Sequence, residues 1–158
     1  MKKIARRALS SMRRPGLAAV SIALALGMLA TPAAASPSLT ISHGWFRFLT
    51  PQIPAAGYLT LHNDSEYAAV LTGAASPDCS KLMLHESVIH NGAATMKMVP
   101  DVVVPAHSSV TFRPGGYHLM CMSPLPPVSP GRSVPISLSF KDGSTVTAMF
   151  PVYGAKGK

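Results

Sequence analysis

Short runs rich in β-branched and aromatic residues recur at intervals of roughly 8–14 residues from residue 39 onward, separated by Pro, Gly, Asn, Asp and Ser. With 15 prolines and 12 glycines, the chain offers few stretches in which a helix could continue. Outside an N-terminal segment, apolar residues nowhere follow helical spacing for more than one turn. The pattern therefore predicts an all-β fold, an antiparallel β-sandwich or barrel. The predicted strands are 39–49, 56–61, 68–73, 81–89, 95–99, 109–113, 117–122, 134–140 and 145–152.

The N-terminal segment has the three parts of a signal peptide. A basic stretch ends at Arg14, an apolar stretch covers residues 16–30, and small residues fill 31–35. The apolar stretch has 15 residues, fewer than the roughly 20 that a membrane-spanning helix needs. We therefore predict a signal peptide at residues 1–35, cleaved after Ala35, rather than an uncleaved membrane anchor.

The remainder of the chain is long enough for one domain. We expect a β-sandwich domain at residues 36–153, followed by a flexible tail at 154–158. After the expected cleavage site, no apolar stretch is long enough to span a membrane. These features predict a soluble periplasmic protein, and we expect it to be a monomer.

The net charge of +8 does not indicate nucleic-acid binding. Six of the 14 basic residues precede residue 15, so 8 basic and 6 acidic residues leave the expected domain at only +2. A nearly neutral domain has no basic stripe with which to neutralise a phosphate backbone.

The sequence also lacks the motifs of common enzyme classes. It contains no Gly-x-Ser-x-Gly elbow, no His-Glu-x-x-His motif and no phosphate-binding glycine loop. Its six carboxylates offer no obvious catalytic pair. We therefore expect a binding protein and not an enzyme.

Cys79 and Cys121 are the only cysteines, and both lie in the part expected to be exported. An even pair in an oxidising compartment is most simply a disulfide. A thiolate metal ligand or a redox thiol is the alternative. We place Cys79 in the loop before the strand at 81–89, because a strand that began at Cys79 would put this residue on the face of His85.

Histidines and methionines are the most informative residues for function. His118 and Met120 share one face of a predicted strand, because side chains alternate along a strand. The Asn91-Gly92 dipeptide predicts a hairpin turn that can bring Met96 close to His85. The sequence therefore predicts a group of two imidazoles and two thioethers.

The chemistry of these side chains selects the metal. Thioether sulfur is neutral and soft and favours Cu(I), and imidazole also binds copper well. Zinc prefers thiolate, imidazole and carboxylate, while calcium and magnesium prefer oxygen. The predicted group therefore indicates a copper site.

The spacing of the four residues resembles the motif of a known family. His85, Met96 after ten residues, and His118-x-Met120 after twenty-one more match the H(M)-x10-M-x21-H-x-M motif of the PCuAC periplasmic copper chaperones. The resemblance implies that His85, Met96, His118 and Met120 bind Cu(I). Glu86 stands where the motif has an optional Met, and it should alternate away from His85, so we do not expect it to be a ligand.

The resemblance extends over most of the expected domain. Segments 45–47, 55–63 and 114–120 are similar to recurring segments of the family. It implies a cupredoxin-like β-sandwich that delivers copper to an accepting protein of the respiratory pathway, in cytochrome c oxidase assembly.

Two other functions remain open. A cupredoxin-type electron-transfer protein would use Cys121 as a copper ligand. An exported adhesion or interaction domain would use none of these histidines and methionines. Copper stoichiometry and visible absorption separate the three hypotheses.

Overall fold

The computed structural model describes residues 38–157, which form ten β-strands and, within that range, no helix. Accordingly, this part of the chain contains no helix that could cross a membrane. The predicted signal peptide at residues 1–35 lies outside the described residues. The strands are β1 (Leu39–Arg47), β2 (Ala55–Asn63), β3 (Ala69–Ala75), β4 (Cys79–His90), β5 (Ala93–Met98), β6 (Val102–Val104), β7 (Ser108–Phe112), β8 (Tyr117–Pro124), β9 (Ser133–Phe140) and β10 (Thr145–Tyr153).

The strands form two sheets that share one apolar core. One sheet has the order β5-β4-β8-β2-β1, with β7 also paired to β2, and the other has the order β10-β9-β3-β6. A short parallel pairing joins the two, with Phe46 of β1 opposite Val152 of β10. The predicted all-β sandwich is confirmed, with one parallel pair in an otherwise antiparallel arrangement.

Side-chain alternation explains which residues fill the core. In β9, Val134, Ile136 and Leu138 are fully buried and alternate with more exposed neighbours. Phe46 and Phe150, one from each sheet, pack with ring centroids 5.8 Å apart. Burial of each large apolar side chain stabilises the fold by about 1.5–3 kcal/mol.

Two details differ from the sequence prediction. The three-residue strand β6 was not predicted, because so short a run carries almost no periodicity; it forms by pairing with β3. In addition, β4 begins at Cys79 and not after it, because its ladder with β8 continues as far as the pairing of Cys79 with Pro124. Cys79 is nevertheless buried in the core.

The predicted hairpin between β4 and β5 is confirmed. Asn91 and Gly92 both have positive φ, 50° and 78°, as a tight two-residue hairpin turn requires. His90 pairs with Ala93 directly across this turn. The turn therefore determines the register of all the β4–β5 pairs that lie farther from it.

Candidate metal centre

The predicted ligands lie on three adjacent strands at one edge of a sheet. Directly opposed pairs are His85 with His118 across β4 and β8, and Ser87 with Met96 across β4 and β5. Opposed residues of an antiparallel pair project from the same face. Met120 shares the face of His118 by alternation. All four predicted ligands therefore project from one face of the sheet.

The two imidazoles face each other. The ring centroids of His85 and His118 are 5.8 Å apart, and the ring planes are inclined by 59°. With metal–nitrogen bonds of about 2 Å on each side, two rings that share one ion have centroids roughly 5–6 Å apart. The spacing therefore suits one ion held between the two rings.

A backbone carbonyl orients His118. Nδ1 of His118 lies 3.0 Å from the carbonyl oxygen of Gly116. Because a carbonyl only accepts, Nδ1 carries the proton and donates, which leaves the lone pair on Nε2. The same carbonyl accepts a hydrogen bond from the Ser87 backbone N–H at 3.1 Å. Metal-binding histidines commonly have this arrangement, in which the second ring nitrogen donates to a carbonyl.

Three buried ring nitrogens have no hydrogen-bond partner among residues 38–157. They are Nε2 of His118 and both Nδ1 and Nε2 of His85. A buried polar atom without a partner costs about 1–3 kcal/mol, and native structures contain few of them. A metal ion that accepted one lone pair from each ring would compensate for part of this cost.

The environment also favours the metal-binding form of His85. Burial, and secondarily the proximity of His118, lower the pKa of His85. A lowered pKa keeps the imidazole neutral, with its lone pair free for a metal ion.

A cavity of about 400 Å³ adjoins this face. Met96, His118 and Met120 line it together, and Arg47 contributes the cationic side chain of its wall. His118 is only 4% exposed, whereas Met96 is 63% exposed. The site therefore has one end in the protein interior and one end open to solvent.

The two cysteines form the predicted disulfide. Cys79 and Cys121 are bonded, with their Cα atoms 5.4 Å apart, and no free cysteine exists among the described residues. Cys121 lies between Met120 and Met122 in β8, so alternation directs it away from the imidazole face. The structure therefore lacks the thiolate that an electron-transfer site at Cys121 would need.

Glu86 also points away from the centre. Its carboxylate Oε2 lies 3.0 Å from Nζ of Lys97, the residue opposite it on β5. This pair occupies the face that alternates with His85 and Met96. The expectation that Glu86 lies away from His85 agrees with this position.

Two methionines directly opposite predicted ligands were not themselves predicted as site residues. Met98 lies directly opposite His85, and Met83 lies directly opposite Met120. A sequence signal for Met98 was available, because counting outward from the two-residue turn pairs position 98 with position 85. For Met83, alternation within the predicted strand 81–89 indicated the face of His85, but its pairing with Met120 had no local signal because β8 is distant in sequence.

The chain resembles proteins described as lipoproteins. Residues 39–152 match the family model described as "LpqE-like: Putative lipoprotein LpqE-like". A protein of Leifsonia xyli subsp. xyli (strain CTCB07), "Putative lipoprotein Lxx21020", is 33% identical over 128 residues, which cover 80% of this chain and 76% of that protein.

Solved structures with a similar fold include PCuAC domains and a protein from Deinococcus radiodurans. The solution structure of "CuI-DR1885" from Deinococcus radiodurans is 32% identical, with a TM-score of 0.57, and the match covers 81% of this chain and 83% of that one. The "Copper-bound PCuAC domain from PmoF2" is 23% identical, with a TM-score of 0.61, and the match covers 73% and 92% of the two chains. The resemblance to the PCuAC family is thereby confirmed, and the family match over residues 39–152 shows that this chain belongs to the LpqE-like family.

Proposed function

We propose that this protein is an exported copper chaperone that binds one Cu(I) ion through His85, Met96, His118 and Met120 and passes it to a partner protein. One observation carries the proposal. Two opposed imidazoles with unpartnered nitrogens project from the same sheet face as two thioethers.

The donor set favours Cu(I) over other metals. All four side chains are neutral, so the complex would keep the single positive charge of the ion. Among residues 38–157, no group of three or more His, Cys, Asp or Glu side chains could hold an ion. Zinc and calcium sites depend on such groups, whereas soft thioethers favour Cu(I).

Related proteins support the same cargo and compartment. The Deinococcus radiodurans protein, 32% identical to this chain, is described with CuI. The words "putative lipoprotein" in the family description and in the name of the Leifsonia relative support export. Together with the predicted signal peptide at residues 1–35, they support a periplasmic location.

The exposure of the site suits a protein that carries and releases copper better than one that binds copper permanently. Met96 is mostly exposed and lies beside an open cavity, so ligands of a partner protein could reach the ion and replace Met96 first. Ligand exchange of this kind needs no catalytic turnover. We propose that the acceptor is a protein of the respiratory oxidase assembly pathway.

An anaerobic Cu(I) titration in competition with a chromophoric chelator tests the proposal. We expect one Cu(I) per chain, and at least about a 10-fold loss of affinity in each of His118→Ala and Met120→Leu. Met149→Leu is the control for Met120→Leu, because it makes the same substitution at a methionine on β10, outside the three strands that carry the predicted ligands. Circular dichroism would verify that each variant is folded.

Two outcomes would contradict the proposal. Unchanged Cu(I) affinity in His118→Ala would remove the site from this face. An intensely blue Cu(II) complex would instead support the electron-transfer hypothesis.

A further inference from the structure

We propose that Met83 and Met98 form, with His85, a second Cu(I) position that exchanges with the position at His118 and Met120. This inference rests on the proposed function, because it concerns the same cargo ion. It adds an exit position at the sheet edge from which the ion would leave the protein.

The register of β4 and β5 places Met98 closest to His85. Met98 is directly opposite His85, whereas Met96 is opposite Ser87, two residues further along β4. Directly opposed residues have Cβ atoms about 4.5–5.5 Å apart, and diagonal neighbours are roughly 7–8 Å apart. Met98 is therefore better placed than Met96 to share an ion with His85.

Met83 completes a thioether pair at the same edge. It precedes His85 by two residues in β4 and so lies on the same face. Met83 and Met98 both line a second cavity, of about 210 Å³, which is separate from the cavity lined by His118 and Met120. Two thioether side chains thus line one cavity. His85 does not line that cavity, and strand register and alternation are what place both methionines next to His85 on the sheet.

The side chain of His85 is free to serve either position. Neither of its ring nitrogens has a hydrogen-bond partner among residues 38–157, whereas Nδ1 of His118 is held by the Gly116 carbonyl. No hydrogen bond would need to break for the His85 ring to turn about its side-chain bonds. His118 is therefore the fixed ligand and His85 the movable one.

The exchange is a simple ligand substitution. Bonds from Cu(I) to His118, Met120 and Met96 break as bonds to Met83 and Met98 form, and His85 stays bound throughout. All these ligands are neutral, so the charge and oxidation state of the ion do not change. A neutral imidazole has one lone pair, so His85 serves one ion at a time and the chain holds one Cu(I).

The position of β5 gives the exchange a direction. Every residue of β5 is exposed, and the strand lies at the edge of its sheet. Met98 is 65% exposed and His118 only 4% exposed. Movement away from His118 would therefore take the ion from its most buried ligand towards the exposed edge strand.

The first test is NMR of protein labelled with 13C at the methionine methyl groups, titrated anaerobically with Cu(I). At one equivalent, we expect the methyl signals of Met83 and Met98 to shift together with those of Met96 and Met120, while Met149 does not shift. Signals of Met83 and Met98 that stay at their metal-free positions would overturn the inference. Binding of two Cu(I) ions per chain would show that the two positions do not share His85, and would overturn the inference.

The second test removes the inner position. In a His118→Ala/Met120→Leu background, we expect residual Cu(I) binding that Met98→Leu weakens by at least about 10-fold and that Met149→Leu leaves unchanged. Equal effects of these two substitutions would overturn the inference. If the His118→Ala/Met120→Leu variant does not fold, the NMR titration of the unaltered protein tests the inference by itself. A protein that binds no Cu(I) at all would instead refute the proposed function.

Discussion

His85 and His118 occupy directly opposed positions on β4 and β8, and their ring centroids are 5.8 Å apart. The strands that hold them are separated in sequence by β5, β6 and β7. The proposed copper site therefore depends both on side-chain chemistry and on the integrity of the sheet.

Cu(I) affinity should depend on pH through the imidazoles alone. Protons compete with the metal for the ring lone pair, and thioethers do not titrate. Burial lowers the pKa of His85, so protons compete for this ring only below the ordinary histidine value of about 6.5. We expect affinity to be level above that value and to fall below it, in chelator competition from about pH 5 to 9.

The same titration separates imidazole from thiolate ligands. A thiolate site would continue to gain affinity up to the ordinary cysteine pKa of about 8.5. A steep rise in affinity above about pH 8, after correction for protonation of the chelator, would point to Cys121 and contradict the two-His two-Met assignment.

The disulfide should stabilise the fold without taking part in copper binding. It joins Cys79 and Cys121 across 42 residues, a loop for which the chain-entropy model gives about 4 kcal/mol. We expect Cys79→Ala/Cys121→Ala to have a lower Tm and an unchanged Cu(I) affinity. Two reactive thiols in protein purified from the exported compartment would contradict this pairing.

Gly57→Ala should destabilise the sheet that carries the site. A Cβ at Gly57 would lie 2.7 Å from Cζ of Phe46 and 3.1 Å from Cβ of Leu119. Phe46 is fully buried, so its ring can move away only by displacing other core side chains. Overpacking of this kind costs about 1–3 kcal/mol, measurable as a lower urea midpoint.

Gly73→Ala is the matched control for this substitution. Gly73 also lies in a strand, β3, but no atom of the described residues lies within 4 Å of an added Cβ. We expect its free energy of unfolding to change by less than about 0.5 kcal/mol. Equal losses in both variants would show that contact with Phe46 is not the cause.

Asn63→Ala should destabilise the connection between the two sheets. Asn63 is fully buried, and its side-chain amide donates to the carbonyls of Tyr67, Val104 and Pro105 at 2.7–3.1 Å. Its side-chain oxygen accepts from Ser65. Because removal leaves buried carbonyls without a donor, we expect a loss of about 2–3 kcal/mol in urea unfolding.

Asp64→Ala tests whether the loss of stability expected for Asn63→Ala arises from the buried amide. Asp64 is the next residue in the chain and is exposed, so we expect a change within about 0.5 kcal/mol. A loss in Asn63→Ala no larger than that of Asp64→Ala would mean that the buried amide network contributes little.

The local sequence pattern was enough to predict most of the strands and to predict which side chains project from the same face of a strand. Alternation places His118 and Met120 on one side of a strand whatever the strand packs against. The Asn91-Gly92 turn likewise determines which residues of β4 and β5 face each other. These features depend on neighbours in sequence, so the sequence alone contains them.

Only the tertiary structure decided how the distant strands meet. The pairing of β4 with β8, which sets His85 against His118, has no local signal, because it depends on how one apolar core is filled by both sheets. The parallel pairing of β1 with β10 is non-local for the same reason. The pairing of His85 with His118 and the burial of their ring nitrogens follow from these non-local pairings.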